Sequence, residues 1–205
     1  MGSMMRVLGI DPGLRCTGWG VIAVDGGRLQ HIANGAIQPK PTLDDAARLQ
    51  IIFDGLCEVI TLHQPDQAAI EQIFVAKSAG SALRLGMARG VGILACGVNR
   101  LGVGEISARA VKKAVAGTGT ADKKQIQDMV KRLLAVTAQN ADAADALAIA
   151  IAASNEAGTV ASVGVELGQG QAGKEQVGKG QTTGGLSAAI AAALARDDAS
   201  NGGKT

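Results

Sequence analysis

The sequence predicts an α/β domain in which one mixed sheet carries helices on both of its faces. Three short apolar segments with strand-like composition come first, and helical and strand-like segments then alternate to about residue 154. Strands separated by a helix favour parallel pairing, whereas closely spaced strands favour hairpins. We therefore predict a mixed sheet with an antiparallel three-stranded edge.

The strands follow from short apolar runs bounded by turn residues. They are predicted at residues 6–10, 19–25, 28–34, 67–71 and 102–106. Gly26-Gly27 suits a two-residue hairpin turn between the second and third strands. A helical crossover leads to the fourth strand, and right-handed crossovers let that strand lie parallel beside the first.

Helices are predicted between and after these strands. Thr42, with Asp45 three residues later, resembles a capping box that opens the first helix. Its buried face follows helical spacing at Leu49, Ile52, Phe53, Leu56 and Ile60. Further helices are predicted at residues 78–98 and 107–115, from a Thr120 cap to residue 134, and at residues 141–154.

Composition divides the 205 residues into three parts. Residues 1–4 resemble a cloning remnant, and residues 5–154 form the predicted folded domain. Residues 155–205 are rich in glycine, alanine and glutamine and hold no aromatic residue. Such a composition buries too little apolar area to offset chain entropy, so we predict a mostly disordered tail.

The overall composition favours a soluble cytoplasmic protein and gives only a weak signal for nucleic acid. Hydrophobic residues make up 47% and charged residues 19%, without a membrane-spanning apolar run or a secretory pattern. The formal net charge is only +2. The segment from Glu105 to Arg132, however, contains seven basic residues and only three acidic ones. On charge alone, this segment suits a solvated helical face.

Four acidic residues occupy positions where burial penalises a charge. Asp11 and Glu71 each end an apolar strand, and parallel pairing of those strands brings them close. Asp142 and Asp145 share one face near the start of an otherwise apolar helix. Taken singly, Asp11 suits a turn and the helical pair suits the helix dipole. Together they predict a Mg²⁺ site, because adjacent carboxylates require a proton or a cation between them.

Three motifs in this order resemble the RuvC family of bacterial Holliday-junction resolvases. They are "GIDPGLRCTGWGVI", "AIEQIFVAKSAGSALRLGMARG" and "NADAADALAIA", within residues 5–154. The resemblance implies a ribonuclease-H-like fold, a homodimer and symmetric, magnesium-dependent nicking of four-way DNA junctions. It also implies contact with the RuvA-RuvB branch-migration complex.

The resemblance also assigns site residues by motif. Asp11, Glu71, Asp142 and Asp145 match the family's catalytic, metal-binding acids. The acidic group and the basic segment further lead us to expect two Mg²⁺ ions per site, with Mn²⁺ as an alternative, Asp11 between the two ions and 5′-phosphate products. The implied DNA-binding residues are Phe74, which would stack at the opened junction, Lys112 and Lys123, which would contact the backbone, and Arg84, Arg89, Lys113 and Lys124.

Two other functions remain open at this point. An actin-like ATP-dependent phosphotransferase or ATPase also begins with a strand, a "GID.G" turn and a hairpin. That class needs a second phosphate loop and a larger second domain, for which this chain is short. A non-cleaving DNA-binding relative of the same fold would be indicated by the loss of an acid, but all four acids are present.

Overall fold

The computed structural model describes residues 4–72 and 79–155 of the chain. Five strands and five helices form in this part. The strands are β1 (Met5–Asp11), β2 (Thr17–Asp25), β3 (Arg28–Ile37), β4 (Gln67–Glu71) and β5 (Val103–Ile106). The helices are α1 (Asp45–His63), α2 (Ala79–Val98), α3 (Ala108–Ala116), α4 (Lys123–Leu134) and α5 (Ala141–Asn155).

All five strands lie in one mixed sheet in the order β3-β2-β1-β4-β5. Strand β2 is antiparallel to both of its neighbours, whereas β4 is parallel to β1 and to β5. The predicted α/β class and the antiparallel three-stranded edge are therefore confirmed. The turn between β2 and β3 also agrees, since Gly26 and Gly27 have φ values of 54° and 88°, which suit glycine.

Each face of the sheet is covered by its own apolar cluster. Helices α1 and α2 pack on one face, around residues such as Leu8, Ile52 and Leu56. Helices α3, α4 and α5 pack on the other face, around Val7 and Leu147. This arrangement confirms the prediction of helices on both faces.

Helix α5 lies directly against the backbone of β1 and β2. Ten of its fifteen residues are buried. A β-carbon added at Gly9 would collide with the backbone of Ala146, and one added at Gly18 would collide with that of Asp142. Glycine at these two positions is what lets the helix backbone approach the strands so closely.

Two predicted helix caps are wrong, although the helices themselves form. Asp44 rather than Thr42 caps α1, since its carboxylate accepts a hydrogen bond from the amide of Ala47 at 2.8 Å. Asp122 rather than Thr120 caps α4, in a reciprocal capping box with Gln125. In both segments the aspartate stands closer to the first helical residue, at the position whose side chain reaches the exposed amides.

Helix α2 is the one described helix that is long and apolar enough to cross a membrane by length and composition. It packs against α1 and contains Arg84 and Arg89. Arginine is costly in the centre of a bilayer, so these features favour a helix of the α/β domain.

Candidate active site

The sheet brings Asp11 and Glu71 together at the carboxyl ends of β1 and β4. Asp11 ends β1, and the parallel register pairs Ile10 with Ile70, the residue before Glu71 at the end of β4. Both carboxylates therefore leave neighbouring strands at the same level. Both residues are only partly exposed. The predicted adjacency of these two acids is present in the structure.

Helix α5 brings the other two acids to the same end of these strands. Its backbone at Asp142 contacts Gly18, which pairs with Asp11 across β1 and β2. One carboxylate oxygen each from Asp11, Asp142 and Asp145 lies within 4.8 Å of the others. Glu71 is outside this group of three but lines the same cavity, of about 200 Å³, as Asp11 and Asp145.

Burial and the charges of neighbouring carboxylates raise the pKa values of Asp11, Glu71 and Asp145. The pKa of Asp11 rises to about 7, mainly through burial and then through the charges of Asp145, Glu71 and Asp142. Burial, followed by the charge of Asp145, also raises the pKa of Glu71. Burial raises the pKa of Asp145 even though an adjacent ammonium group opposes the shift. The site therefore carries excess negative charge that a proton or a cation must neutralise.

Two lysines line the same cavity. Lys123, the first residue of α4, places its Nζ 2.6 Å from Oδ2 of Asp145. Lys112 of α3 is half-buried, and its positive charge, like that of Lys123, partly opposes the rise in the pKa of Glu71 that burial causes. Both residues were singled out as DNA contacts by resemblance, and both stand beside the acids. Lys113 and Lys124 are exposed and do not line this cavity.

The remaining predicted DNA contacts differ in their surroundings. Arg84 is exposed on α2. Arg89 forms an ion pair with Glu105, and its Nε donates a hydrogen bond to the backbone carbonyl of Glu71 at 3.3 Å. Phe74 lies outside the described residues, as do the predicted disordered residues after Asn155.

Sequence reasoning missed two residues that surround the loop after Asp11. The thiol of Cys16 has a pKa raised to about 11, first by burial and then by a hydrogen bond with Asp142. Arg48 of α1 donates a hydrogen bond to the carbonyl of Leu14 in this loop at 2.9 Å. A single cysteine and a helical arginine carry no distinguishing spacing, so neither contact could be read from the sequence.

The donor set fits a hard divalent cation. The group of three within 4.8 Å offers only carboxylate oxygens, which Mg²⁺ and Mn²⁺ accept. The raised pKa of Asp11 shows that the same oxygens are poorly neutralised by the protein itself. A divalent cation at this position would remove that repulsion.

Comparison with known proteins agrees with this geometry. The family model described as "Crossover junction endodeoxyribonuclease RuvC" matches residues 7–153. The enzyme of that name from Geobacter metallireducens is 54% identical over 156 residues, which are 75% of this chain and 94% of the relative. The one from Caulobacter sp. strain K31 is 50% identical over 152 residues, 74% and 90% of the two chains.

Solved structures give the same result. The structure described as "T. thermophilus RuvC in complex with Holliday junction substrate" has a TM-score of 0.71 and 30% identity, and the match covers 75% of this chain and 94% of that one. The yeast mitochondrial Holliday junction resolvase Ydc2, at 12% identity and a TM-score of 0.54, shares the fold. The match over nearly the whole described domain shows that the chain belongs to the RuvC family of crossover junction endodeoxyribonucleases.

Proposed function

We propose that this protein resolves four-way DNA junctions by nicking two strands symmetrically, with a divalent metal ion, in recombination and repair. The observation that carries the proposal is the convergence of four carboxylates from β1, β4 and α5 beside two lysines. Membership of the RuvC family and the junction complex of the Thermus thermophilus relative support it. The acidic group is the arrangement that a metal-dependent nuclease requires.

Each acid has a distinct place in the proposed reaction. The carboxylate of Asp11 would serve both cations, Glu71 would complete one of the two sites, and Asp145 would complete the other. Asp142 would assist beside Asp145. Two Mg²⁺ ions held there would activate a water molecule and stabilise the leaving oxygen. Water adds to phosphorus, the bond to the 3′-oxygen breaks, and that oxygen takes a proton, which leaves a 5′-phosphate and a 3′-hydroxyl.

Magnesium is the proposed cation because all donors in the group of three are carboxylate oxygens. Manganese accepts the same donors and would substitute. The proposed metal ligands are the same four acids that are proposed to be catalytic. We expect EDTA to abolish cleavage, and either cation to restore it.

The proposed DNA surface surrounds this cavity. Lys112 and Lys123 would hold the phosphates near the bond that breaks, and the exposed residues Lys113, Lys124 and Arg84 would extend the contact. The guanidinium of Arg89, which the resemblance also assigns to DNA binding, contacts Glu105 and Glu71, and we propose that it acts mainly by positioning Glu71. Phe74 would stack on an unpaired base, an interaction worth roughly 1–3 kcal/mol. Because phosphate contacts release counterions, junction affinity should fall as salt rises. Binding that is insensitive to salt would remove the lysines from the interface.

A homodimer would place two such sites on one junction, and α2 offers the surface for it. Leu83, Leu94 and Val98 are 66%, 55% and 62% exposed on this helix. A β-carbon added at Gly86 or Gly90 would meet no neighbouring element of the described protein, so a second helix could approach this face closely. Contact with a RuvA-RuvB complex and a cytoplasmic location are proposed on family resemblance.

The decisive experiment incubates the protein with a synthetic four-way junction and Mg²⁺, alongside an ATP-hydrolysis assay. We expect paired nicks in strands of the same polarity, with a linear duplex of the same sequence left intact. Asp11→Asn should bind the junction and not cut it. ATP turnover without nicking would indicate an actin-like phosphotransferase, and binding without nicking by the unaltered protein would indicate a non-cleaving relative.

The dimer is tested by sedimentation. Leu94→Glu should convert the protein to a monomer, because a charge would be buried against the second copy. Leu62→Glu, on a leucine of α1 that is 70% exposed against 55% for Leu94, is the control and should leave the dimer intact. Equal sedimentation of both variants as dimers would remove α2 from the interface.

A further inference from the structure

The ammonium of Lys123 stands where a cation is needed. Its Nζ lies 2.6 Å from Oδ2 of Asp145, one of the three acids whose oxygens lie within 4.8 Å of one another. The Lys123 side chain is 59% exposed and that of Asp145 is 27% exposed. Lys123 is therefore the more exposed partner of this ion pair. In the metal-free protein it supplies part of the positive charge that the carboxylates require.

A divalent cation and this ammonium would compete for the same carboxylate. A charge-assisted hydrogen bond as short as 2.6 Å occupies one of the two carboxylate oxygens that Asp145 can offer to a metal. Two cations held on one carboxylate also repel each other.

The backbone allows Lys123 to change partners without a change of fold. Lys123 is the first residue of α4, and the capping box of Asp122 and Gln125 fixes the helix start just before it. The flexible stem of the lysine therefore swings from a rigid anchor. On release from Asp145, the ammonium would lie at the mouth of the cavity, where the phosphate backbone of DNA would approach.

We propose that Lys123 is an exchangeable counter-ion: it neutralises Asp145 in the metal-free protein, and metal binding transfers it to a DNA phosphate. The inference rests on the proposed nuclease function and adds a coupling to it. Metal binding frees Lys123 to bind a DNA phosphate, and binding of the phosphate keeps Lys123 away from the metal site. By linkage, the metal ion and the DNA then each strengthen the binding of the other.

The first test measures the affinity for Mg²⁺, and separately for Mn²⁺, by calorimetry in the absence of DNA. Lys123→Met should bind the metal about fivefold more tightly than the unaltered protein, because it lacks the ion pair that competes for Asp145. Lys123→Arg keeps the ion pair, so its metal affinity should stay near that of the unaltered protein. Lys112→Met is the matched control, because it removes a positive charge from the same cavity without an ion pair to Asp145. An equal gain in both methionine variants would reduce the effect to net charge and overturn the proposal.

The second test follows the side-chain ammonium of Lys123 directly by NMR. In EDTA its proton exchange should be slowed by the ion pair with Asp145, and saturating Mg²⁺ should shift its signal toward that of a free lysine. The signal of Lys112 should move less. A Lys123 signal that keeps its ion-paired position at saturating Mg²⁺ would rule out displacement.

The third test measures the DNA half of the exchange. Junction affinity is read by stopped-flow anisotropy, before cleavage, in EDTA and in saturating Mg²⁺. The gain in affinity on adding Mg²⁺ should be several-fold larger in the unaltered protein than in Lys123→Met, because only the former has a lysine to release. Equal gains would overturn the coupling. None of these measurements depends on nicking, so their failure is distinguishable from failure of the proposed function.

Discussion

Replacing Asp11 by asparagine should stabilise the metal-free protein above neutral pH while it abolishes cleavage. Asp11 is the acid most strongly affected by its surroundings, with a pKa raised from 3.8 to about 7 by burial and by three neighbouring carboxylates. Asparagine has nearly the same shape and carries no charge. The substitution therefore removes the repulsion and leaves the packing at the end of β1 unchanged.

The size and sign of this effect follow from proton linkage. A shift of about three pKa units corresponds to about 4 kcal/mol. Because the folded state binds this proton more tightly than the unfolded state, stability of the metal-free protein falls as the pH rises from about 4 to about 7, by about 1.4 kcal/mol per pH unit. Above that window the loss is complete. Asp11→Asn should therefore gain about 4 kcal/mol at about pH 8, and progressively less toward pH 4.

Urea denaturation in EDTA measures this gain, with fluorescence of the single tryptophan, Trp19, as the probe. Trp19 contacts Gly35 and has its ring centroid 5.6 Å from that of His63, so unfolding changes its surroundings. Asp128→Asn, on an exposed acid of α4, controls for the change in net charge. Mg²⁺ should stabilise the unaltered protein and not Asp11→Asn. A gain that is the same at about pH 8 and about pH 5 would refute the reasoning.

Three other outcomes are expected from the same structure. Arg89→Met should slow cleavage about tenfold with junction affinity nearly unchanged, because the hydrogen bond from Arg89 to the Glu71 carbonyl positions that acid. Arg84→Met should instead weaken junction binding. The reverse pattern in kinetic and anisotropy assays would contradict both expectations. The Mg²⁺ concentration for half-maximal cleavage should fall as pH rises from about 6 to 7, since the cation displaces a proton from Asp11; a pH-independent titration would contradict this. Gly9→Ala should destabilise the fold by several kcal/mol, roughly 3 or more, in thermal unfolding, because its β-carbon meets a helix backbone that cannot move aside; native-like stability would contradict the close approach.

The sequence was sufficient for the sheet and for the meeting of the acids. Asp11 and Glu71 end apolar strands joined by a crossover, and a rule of chain topology places such strands side by side. Asp142 and Asp145 share a face because of the helical repeat. Each of these inferences uses spacing along the chain, which the sequence contains directly.

Contacts made by docking of distant elements could not be predicted in the same way. The pairing of Lys123 with Asp145 depends on how α4 lies beside α5, and the pairing of Arg89 with Glu105 depends on where α2 crosses the sheet. The caps were wrong for a local reason. Thr120 and Asp122 are both good capping residues, and only the backbone path decides between them.

The backbone contact of α5 with β1 and β2 has a consequence for how the protein can change over evolution. At Gly9 and Gly18, the distance between the strand acid and the helix acids is set by contact of main chain with main chain. Substitutions among the apolar residues of α5 that lie away from these two contacts, such as Ile151, can therefore alter stability while the spacing of the carboxylates stays the same. The catalytic geometry is thereby insensitive to many substitutions in the apolar core. Gly9 and Gly18 themselves, however, can hardly be replaced by any other residue.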